Sequence, residues 1–276
     1  MSEEAGSVLL VGAGRMGGAL LQGWLASGFP PSRIFVQEPS PPPEIADAIA
    51  RAGIRTGTPP SMDGPPQVIL LAVKPQAMDQ VLPTVAPLSG PDTVVLSIAA
   101  GRSIESMARA FPADTAVIRA MPNTPAAIGR GITALCANAQ TTQAQRAACE
   151  QLLKASGETV WVEEEGLIDA VTAVSGSGPA YVFLLAECMA EAGRAIGLDA
   201  ELAAKLARAT VSGAGELLHQ SQLGPDELRR NVTSPNGTTQ AALDVLMGSA
   251  GAGHPMQELI ARAVEAAQRR ARELAG

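Results

Sequence analysis

Near the N-terminus, Ser7-Val8-Leu9-Leu10-Val11 runs into Gly12-Ala13-Gly14-Arg15-Met16-Gly17, and then into Gly18-Ala19-Leu20-Leu21-Gln22-Gly23-Trp24-Leu25. An apolar run, a glycine-rich turn and a helically spaced run in that order form the setting a dinucleotide fingerprint requires. Gly12 permits the turn, Gly14 lets backbone approach a pyrophosphate, and Gly17 lets the helix pack close to the strand. The N–H groups at the helix start then face the negative phosphates. Gly12, Ala13, Gly14, Arg15, Met16 and Gly17 are therefore the first candidate cofactor contacts. A tight structural turn is the alternative, and the flanking strand and helix speak against it.

Outward from this turn, Arg33-Ile34-Phe35-Val36-Gln37 reads as a second strand. It ends at Glu38, about twenty residues beyond Gly17, where an acidic side chain accepts from the ribose 2′-OH and repels a 2′-phosphate. The following Pro39-Ser40-Pro41-Pro42-Pro43 has no arginine to hold such a phosphate, and Ser40 offers only a weak contact. This favours NADH over NADPH, against a solvated loop glutamate. A helix over 44–52 and a short strand at 54–56 follow, then an irregular stretch with Pro59, Pro60, Gly64, Pro65 and Pro66. Val68 to Val73 and Thr93 to Ile98 are continuous apolar runs, as strands covered on both faces require. They end in Lys74-Pro75 and in Ala99-Ala100-Gly101. Ligands of an open α/β sheet sit beyond the carboxyl ends of its strands, which makes Ala72, Val73, Lys74, Pro75, Ala99, Ala100 and Gly101 candidates for the same site. Helices are expected over 79–88, 103–110 with Ser103 as cap, and 141–155; further strands are expected at 116–120, 132–137 and 159–162. Strand alternating with helix predicts a parallel sheet with right-handed crossovers.

Beyond Gly166 the chain becomes Ala- and Leu-rich with helical spacing. Helices are expected over 166–174, 178–197, 199–221, 225–233, 238–248 and 253–275. Gly193, Gly197, Gly213 and Gly215 suggest close helix–helix approach. The fold class is therefore α/β, a Rossmann-like dinucleotide-binding domain over 1–164 followed by an all-α domain over 165–276. So much apolar surface on so few helices implies a second subunit. Two polar stretches interrupt this half: Val174-Ser175-Gly176-Ser177-Gly178-Pro179-Ala180-Tyr181 and Val232-Thr233-Ser234-Pro235-Asn236-Gly237-Thr238-Thr239-Gln240. Each ends where a helix begins, a place suited to a carboxylate. Ordinary capping by Ser or Thr is the alternative.

Composition narrows the classes further. Of 276 residues, 46% are hydrophobic but only 3% aromatic, so the core is aliphatic. The net charge of −7, with basic residues scattered, argues against a nucleic-acid partner. Cys136, Cys149 and Cys188 lack metal-like spacing and His219 and His254 lie far apart, so no metal site is expected. The acidic start Met1-Ser2-Glu3-Glu4 does not read as a secretory signal. No apolar run is expected to span a membrane, since Val182 to Leu185 is soon broken by Glu187. A cytoplasmic location and a small-molecule substrate fit best.

Taken together, the motifs resemble those of the pyrroline-5-carboxylate reductases. The resemblance rests on Val11 to Gly17, Leu71 to Pro75, Ser97 to Gly101, Arg119-Ala120-Met121-Pro122-Asn123-Thr124-Pro125, Val174 to Phe183 and Thr233 to Thr239, in the family's order and spacing. It implies reduction of the C=N bond of L-1-pyrroline-5-carboxylate to L-proline by NAD(P)H. It implies that Met121 and Asn123 lie near the nicotinamide. Ser234, Asn236, Gly237, Thr238 and Thr239 correspond to the loop that holds the substrate carboxylate, and Thr239 to the threonine that hydrogen-bonds the ring nitrogen. Ser177, in the stretch Val174 to Tyr181, is a further substrate candidate, and Ser234 and Thr239 are the candidate catalytic residues. Dimers with swapped helical domains, and decamers of them, are implied as well. Asn236-Gly237 stands where many members have Gly-Gly, and Asn tolerates the left-handed angles such a loop uses. Glu38 departs from the Ser, Thr or Arg that accompanies NADPH preference.

This chemistry needs little acid–base machinery. A protonated imine is already activated, so orientation is the enzyme's main task. His219 and His254 have no sequence partner that suggests catalysis. Tyr181 reads as a packing residue rather than a proton donor, and Lys74 as a phosphate or ribose contact rather than a catalytic lysine. Two rival readings remain. A β-hydroxyacid dehydrogenase would need a lysine in the helical half, where Lys205 lacks a recognisable catalytic setting. A nucleotide-binding sensor would be expected to have lost the loop Ser234 to Thr239, which is intact.

Overall fold

The computed structural model describes residues 6–57, 62–248 and 254–275. Met1 to Glu4, Pro59, Pro60 and Gly253, on which expectations had been placed, lie outside the described residues. Contacts divide the chain into two compact units, one reaching through Gly176 and including the segment from Ala267, the other Ser177–Ala266.

Among the described residues the first unit is built on one eight-stranded sheet: β1 (Val8–Val11), β2 (Ile34–Gln37), β3 (Arg55–Thr56), β4 (Val68–Leu71), β5 (Val94–Ser97), β6 (Ala116–Met121), β7 (Gly131–Ala137) and β8 (Gly157–Trp161). Their order is β3-β2-β1-β4-β5-β6-β7-β8. Helices α1 (Arg15–Ala26), α2 (Pro43–Ala52), α3 (Met78–Val85), α4 (Ile104–Ala108), α5 (Gln143–Lys154) and α6 (Leu167–Val171) cover it. Strand residues alternate between two cores. Val8, Leu10, Val36, Leu70 and Leu96 join Leu20, Leu21 and Trp24 of α1 and Leu153 of α5. Leu9, Val11, Ile69, Leu71 and Val95 join Met78 and Val85 of α3 and Ile168 of α6. Burial on both faces explains why these strands are continuous apolar runs rather than alternating ones. Ser103 caps α4 as expected, accepting from the Ser106 N–H, and Thr142 with Gln145 forms a capping box on α5.

One topological expectation is corrected. β7 runs antiparallel to β6, with Ile118 opposite Ala137 and Met121 opposite Ala134. Only nine residues, 122–130, join the two strands; they hold a 3₁₀ turn, Thr124–Ile128, which closes on Gly129 at φ 70°. That connection is too short for the crossover a parallel pair needs. β8 is parallel to β7. The helix expected over 166–174 is also divided, into α6 and a π turn, Thr172–Gly176.

The second unit contains α7 (Gly178–Ala195), α8 (Ala200–Gln220), α9 (Pro225–Asn231), α10 (Thr238–Met247) and most of α11 (Pro255–Ala275). α7 and α8 form a tight pair, because a Cβ on Gly193 would lie 3.3 Å from that of Ala203. Gly197 instead serves the turn after α7 at φ 104°. Added Cβ atoms at Gly213 and Gly215 would meet nothing within 4 Å among the described residues of one chain. None of α7's residues is buried. The run Leu167–Ala195 is, by length and composition alone, long and apolar enough to cross a membrane, contrary to the sequence expectation. An apolar face left open in one subunit is equally what an interface requires.

The turn between β1 and α1 fixes the start of the fold. Gly12 has φ 92°, and a Cβ there would meet the Ala72 carbonyl oxygen at 2.8 Å. A Cβ on Gly17 would clash with the Gly12 carbonyl oxygen and touch the Ala72 Cβ at 3.0 Å. A Cβ on Gly14 would meet nothing within 4 Å. Gly17→Ala should therefore destabilise the protein by about 1–3 kcal/mol through overpacking. Gly14→Ala should cost less than about 1 kcal/mol, the scale of a changed helix cap. Thermal unfolding of the two variants checks the difference, and equal losses would contradict this account.

Candidate functional site

Strand order reverses at β1, whose neighbours are β2 on one side and β4 on the other. The crevice beyond the carboxyl ends of β1 and β4 is the switch point at which open α/β sheets bind ligands. The Gly12–Gly17 loop and the segment Ala72–Pro75 border that crevice, in contact through Gly12 and Ala72. No side chain caps the start of α1, so its first N–H groups remain for an anion. The open space at Gly14 is where a pyrophosphate would approach. The cradle thus fits a dinucleotide in shape and in donor chemistry.

Glu38 takes part in the cradle directly. Its Oε2 accepts from the Ala13 N–H at 3.1 Å, and its Oε1 from the Ser40 N–H at 3.0 Å. A carboxylate therefore stands at the rim of the glycine loop, and Ser40 serves it through backbone. Lys74 is exposed just past β4. After β5, Ala99 is buried and its N–H reaches the Ser97 Oγ at 3.3 Å, while Ala100 is exposed and Gly101 turns at φ 69°. Arg102 joins the two loops, donating to the Pro75 carbonyl at 3.1 Å and to Asp79 at 2.8 Å. That guanidinium holds the Asp79 carboxyl below its ordinary range.

Asn123, just past β6, uses its Oδ1 to accept from the Ile132 N–H at 3.0 Å, which fixes the start of β7. A cleft of about 390 Å³ opens beside the loop, lined by Gly14, Arg15, Met16, Pro42, Glu44 and Thr124 among others. Thr124, Pro42 and Glu44 had not been singled out. Thr124 reaches the loop only because the chain folds back after β6, which spacing does not reveal.

In the second unit the loop before α10 forms a built turn. The Gly237 N–H donates to the Ser234 carbonyl at 3.0 Å, and a Cβ on Gly237 would collide with the Ser234 Oγ. Asn236 has φ 60°, the only positive φ outside glycine among the described residues. The left-handed angle expected of Asn236 is thus present. No side chain caps α10 at Gly237 or α7 at Ser177, so neither polar stretch serves as an ordinary cap. The first N–H groups of α10, at Thr238 and Thr239, are open to a carboxylate.

Burial pushes the Cys149 thiol up to about 12 and also raises Cys136, aided there by the charge of Glu165. His254 accepts from the Gln257 N–H through Nδ1 at 3.3 Å, at the start of α11.

Comparison with known proteins gives a consistent result. A family model described as pyrroline-5-carboxylate reductase dimerisation matches residues 165–274, and one described as NADP oxidoreductase coenzyme F420-dependent matches 7–101. The chain is 40% identical to the pyrroline-5-carboxylate reductase of Pseudomonas aeruginosa, over 97% of this chain and 96% of that one. It is 46% identical to that of Synechocystis over 75% of each. A solved pyrroline-5-carboxylate reductase from Coxiella burnetii aligns at a TM-score of 0.89 and 32% identity, covering 99% of this chain and 100% of that one. The Plasmodium falciparum pyrroline carboxylate reductase, solved with NADP bound, aligns at 0.78 and 25% identity over the whole of both chains. The glycine cradle, the turn around Asn236 and these relatives agree: the chain belongs to the pyrroline-5-carboxylate reductase family.

Proposed function

We propose that this chain reduces the C=N bond of L-1-pyrroline-5-carboxylate to give L-proline, the last step of proline biosynthesis. Identity of 40% along 97% of the chain with the Pseudomonas aeruginosa reductase carries the reading. When bound, NAD(P)H supplies the hydride. The work of the chain is to bind, orient and exclude water. Gly12 through Gly17, with the open N–H groups of α1, hold the pyrophosphate. Ala72, Val73, Lys74, Pro75, Ala99, Ala100 and Gly101 line the nucleotide, and Asn123 lies on the nicotinamide side. Ser234, Asn236, Gly237 and Thr238 hold the carboxylate, with Ser177 as a further contact. The Thr239 hydroxyl steers the ring nitrogen. Since a protonated imine is itself electrophilic, placement of donor and acceptor supplies much of the acceleration.

Glu38 favours NADH in this reading. Its carboxylate is held toward Ala13 by a hydrogen bond, where it would repel a 2′-phosphate and accept from a 2′-hydroxyl. The working form is a homo-oligomer whose unit is a dimer with swapped helical domains, the unit from which decamers of the family are assembled. The exposed Val182, Phe183, Leu184 and Leu185 of α7 support an interface there. We place the division of labour near residue 164, with dinucleotide binding before it and substrate binding and dimerisation after it. A cytoplasmic location suits the three free cysteines.

Oxidation of NAD(P)H by purified protein with pyrroline-5-carboxylate tests the reaction, hydroxybutyrate-type acids serving as controls. Turnover is expected with the cyclic imine alone, and none by folded protein with either cofactor would end the proposal. Glu38→Ser should lower the ratio of kcat/KM for NADH over NADPH by about tenfold, the scale of one lost charge interaction. A native enzyme that already prefers NADPH would contradict the role given to Glu38. Thr239→Ala should reduce turnover by about tenfold or more with little change in dinucleotide affinity. The reverse pattern would remove Thr239 from the substrate.

A further inference from the structure

β6 carries one charged side chain, Arg119, which is 6% exposed. Its Nη1 donates to Glu165 Oε1 at 3.0 Å and its Nη2 to Asp169 Oδ1 at 3.4 Å. The same Glu165 oxygen accepts from the Ile104 N–H at 2.8 Å, at the first residue of α4. One fork thus ties the middle of the sheet to the start of α4 and to both sides of the entry into α6. Buried ion clusters of this kind are a weak source of stability, because desolvation offsets the attraction. Their directed, two-armed geometry is better suited to setting position.

What this cluster positions follows from the strand. Arg119 and Met121 are two residues apart on β6 and so point to the same face. The Met121 Cε lies 2.8 Å from where a Cβ on Gly176 would stand, and Thr172 Cγ2 closes the same spot at 3.6 Å. Met121 therefore rests on the π turn Thr172–Gly176. That turn departs from the α-helical ladder, and its Thr172 and Ser175 hydroxyls bond back to the Ile168 and Val171 carbonyls at 2.7 and 3.1 Å. Such π segments are rare and occur often at functional sites. Thr124, three residues after Met121, lines the cleft beside Gly14, so the end of β6 borders the cofactor cradle.

We propose that Arg119 is a positioning residue of the reductase: by gripping Glu165 and Asp169 it holds the π turn beneath Met121, and with it the segment Met121–Asn123 that meets the nicotinamide. The proposal rests on the reading of that segment given under the proposed function. Arg119 itself is too deeply buried to touch substrate or cofactor, and it acts through the two carboxylates and the methionine.

Arg119→Lys keeps the charge and loses the fork, and four readouts separate its effects. Thermal unfolding reports folding, and fluorescence titration reports dinucleotide affinity. Steady-state kinetics report kcat and KM for the imine. Hydrogen exchange reports the amides of 167–176. The expected result is a folded variant that binds dinucleotide within about twofold of native and loses roughly tenfold or more in kcat, as small misplacements do. Exchange over 167–176 should quicken. A folded variant with native kcat and native exchange would overturn the proposal. If Arg119→Lys does not fold, Glu165→Gln and Asp169→Asn weaken one arm each while keeping an acceptor. Each should then lower kcat and quicken exchange, and native behaviour in both would overturn it equally. Should native protein fail to turn over the imine, the exchange and binding readouts still decide on Arg119.

Discussion

Helix α1 can rise from β1 at its close angle only because no side chain stands between Gly17 and the carbonyl of Gly12. The same contact includes Ala72, so three elements meet at one point that admits backbone and methyl groups alone. Everything nearby depends on this approach. Close contact aims the uncapped end of α1 at the crevice between β1 and β4, and it brings the Ala13 N–H within reach of Glu38. A bulkier residue at position 17 would separate helix from strand and disperse those donors. On the other side of α1, the buried indole of Trp24 donates to the Leu152 carbonyl of α5 at 2.8 Å, a group near the helix end that has no partner within the helix. The helix is therefore fixed at both ends, by an absence of side chain at one and by a large side chain at the other.

Much of this arrangement was legible in the sequence, and the reasons are local. Turn chemistry, caps and apolar runs act over a few residues, so the Gly12–Gly17 loop, the Ser103 cap and the left-handed Asn236 follow from their own neighbours. The adjacency of β1, β4 and β5 agrees with their composition, because buried parallel strands declare themselves by continuous apolar runs. Strand direction is another matter. An apolar run reads the same for a parallel or an antiparallel partner, and the reversal of β7 lies in the short link that holds the turn Thr124–Ile128. The two ion pairs of Arg119 were hidden for a different reason, since their partners lie 46 and 50 residues away in the chain. Within one chain, among the described residues, Gly193 is the glycine of this pattern that packs against a neighbouring helix, through Ala203.

The chemistry is economical in side chains. A reductase acting on an imine asks for two ligands held in register more than for a proton relay. The first unit offers an uncapped helix start with a glycine cradle, and the second, by itself, an uncapped helix start at Thr238. Rigidity at such a site has to come from outside it, in buried groups that never meet the reactants. The Arg119 cluster and the Arg102 link between the loops after β4 and β5 are of that kind.

The reversal at β7 also decides where the chain goes next. Strands β1 to β6 all deliver the chain to the end of the sheet that carries the glycine loop, whereas β7 and β8 deliver it to the opposite end. α6 and its π turn then travel the length of the sheet once more, and Gly176 arrives beside Met121 at the cofactor end. This is a matter of parity. With a crossover helix after β6 instead of a reversal, β8 would finish at the cofactor end and α6 would carry Gly176 away from it. A short link built on a 3₁₀ turn in place of a helix thus sets which end of the sheet the chain reaches at Gly176.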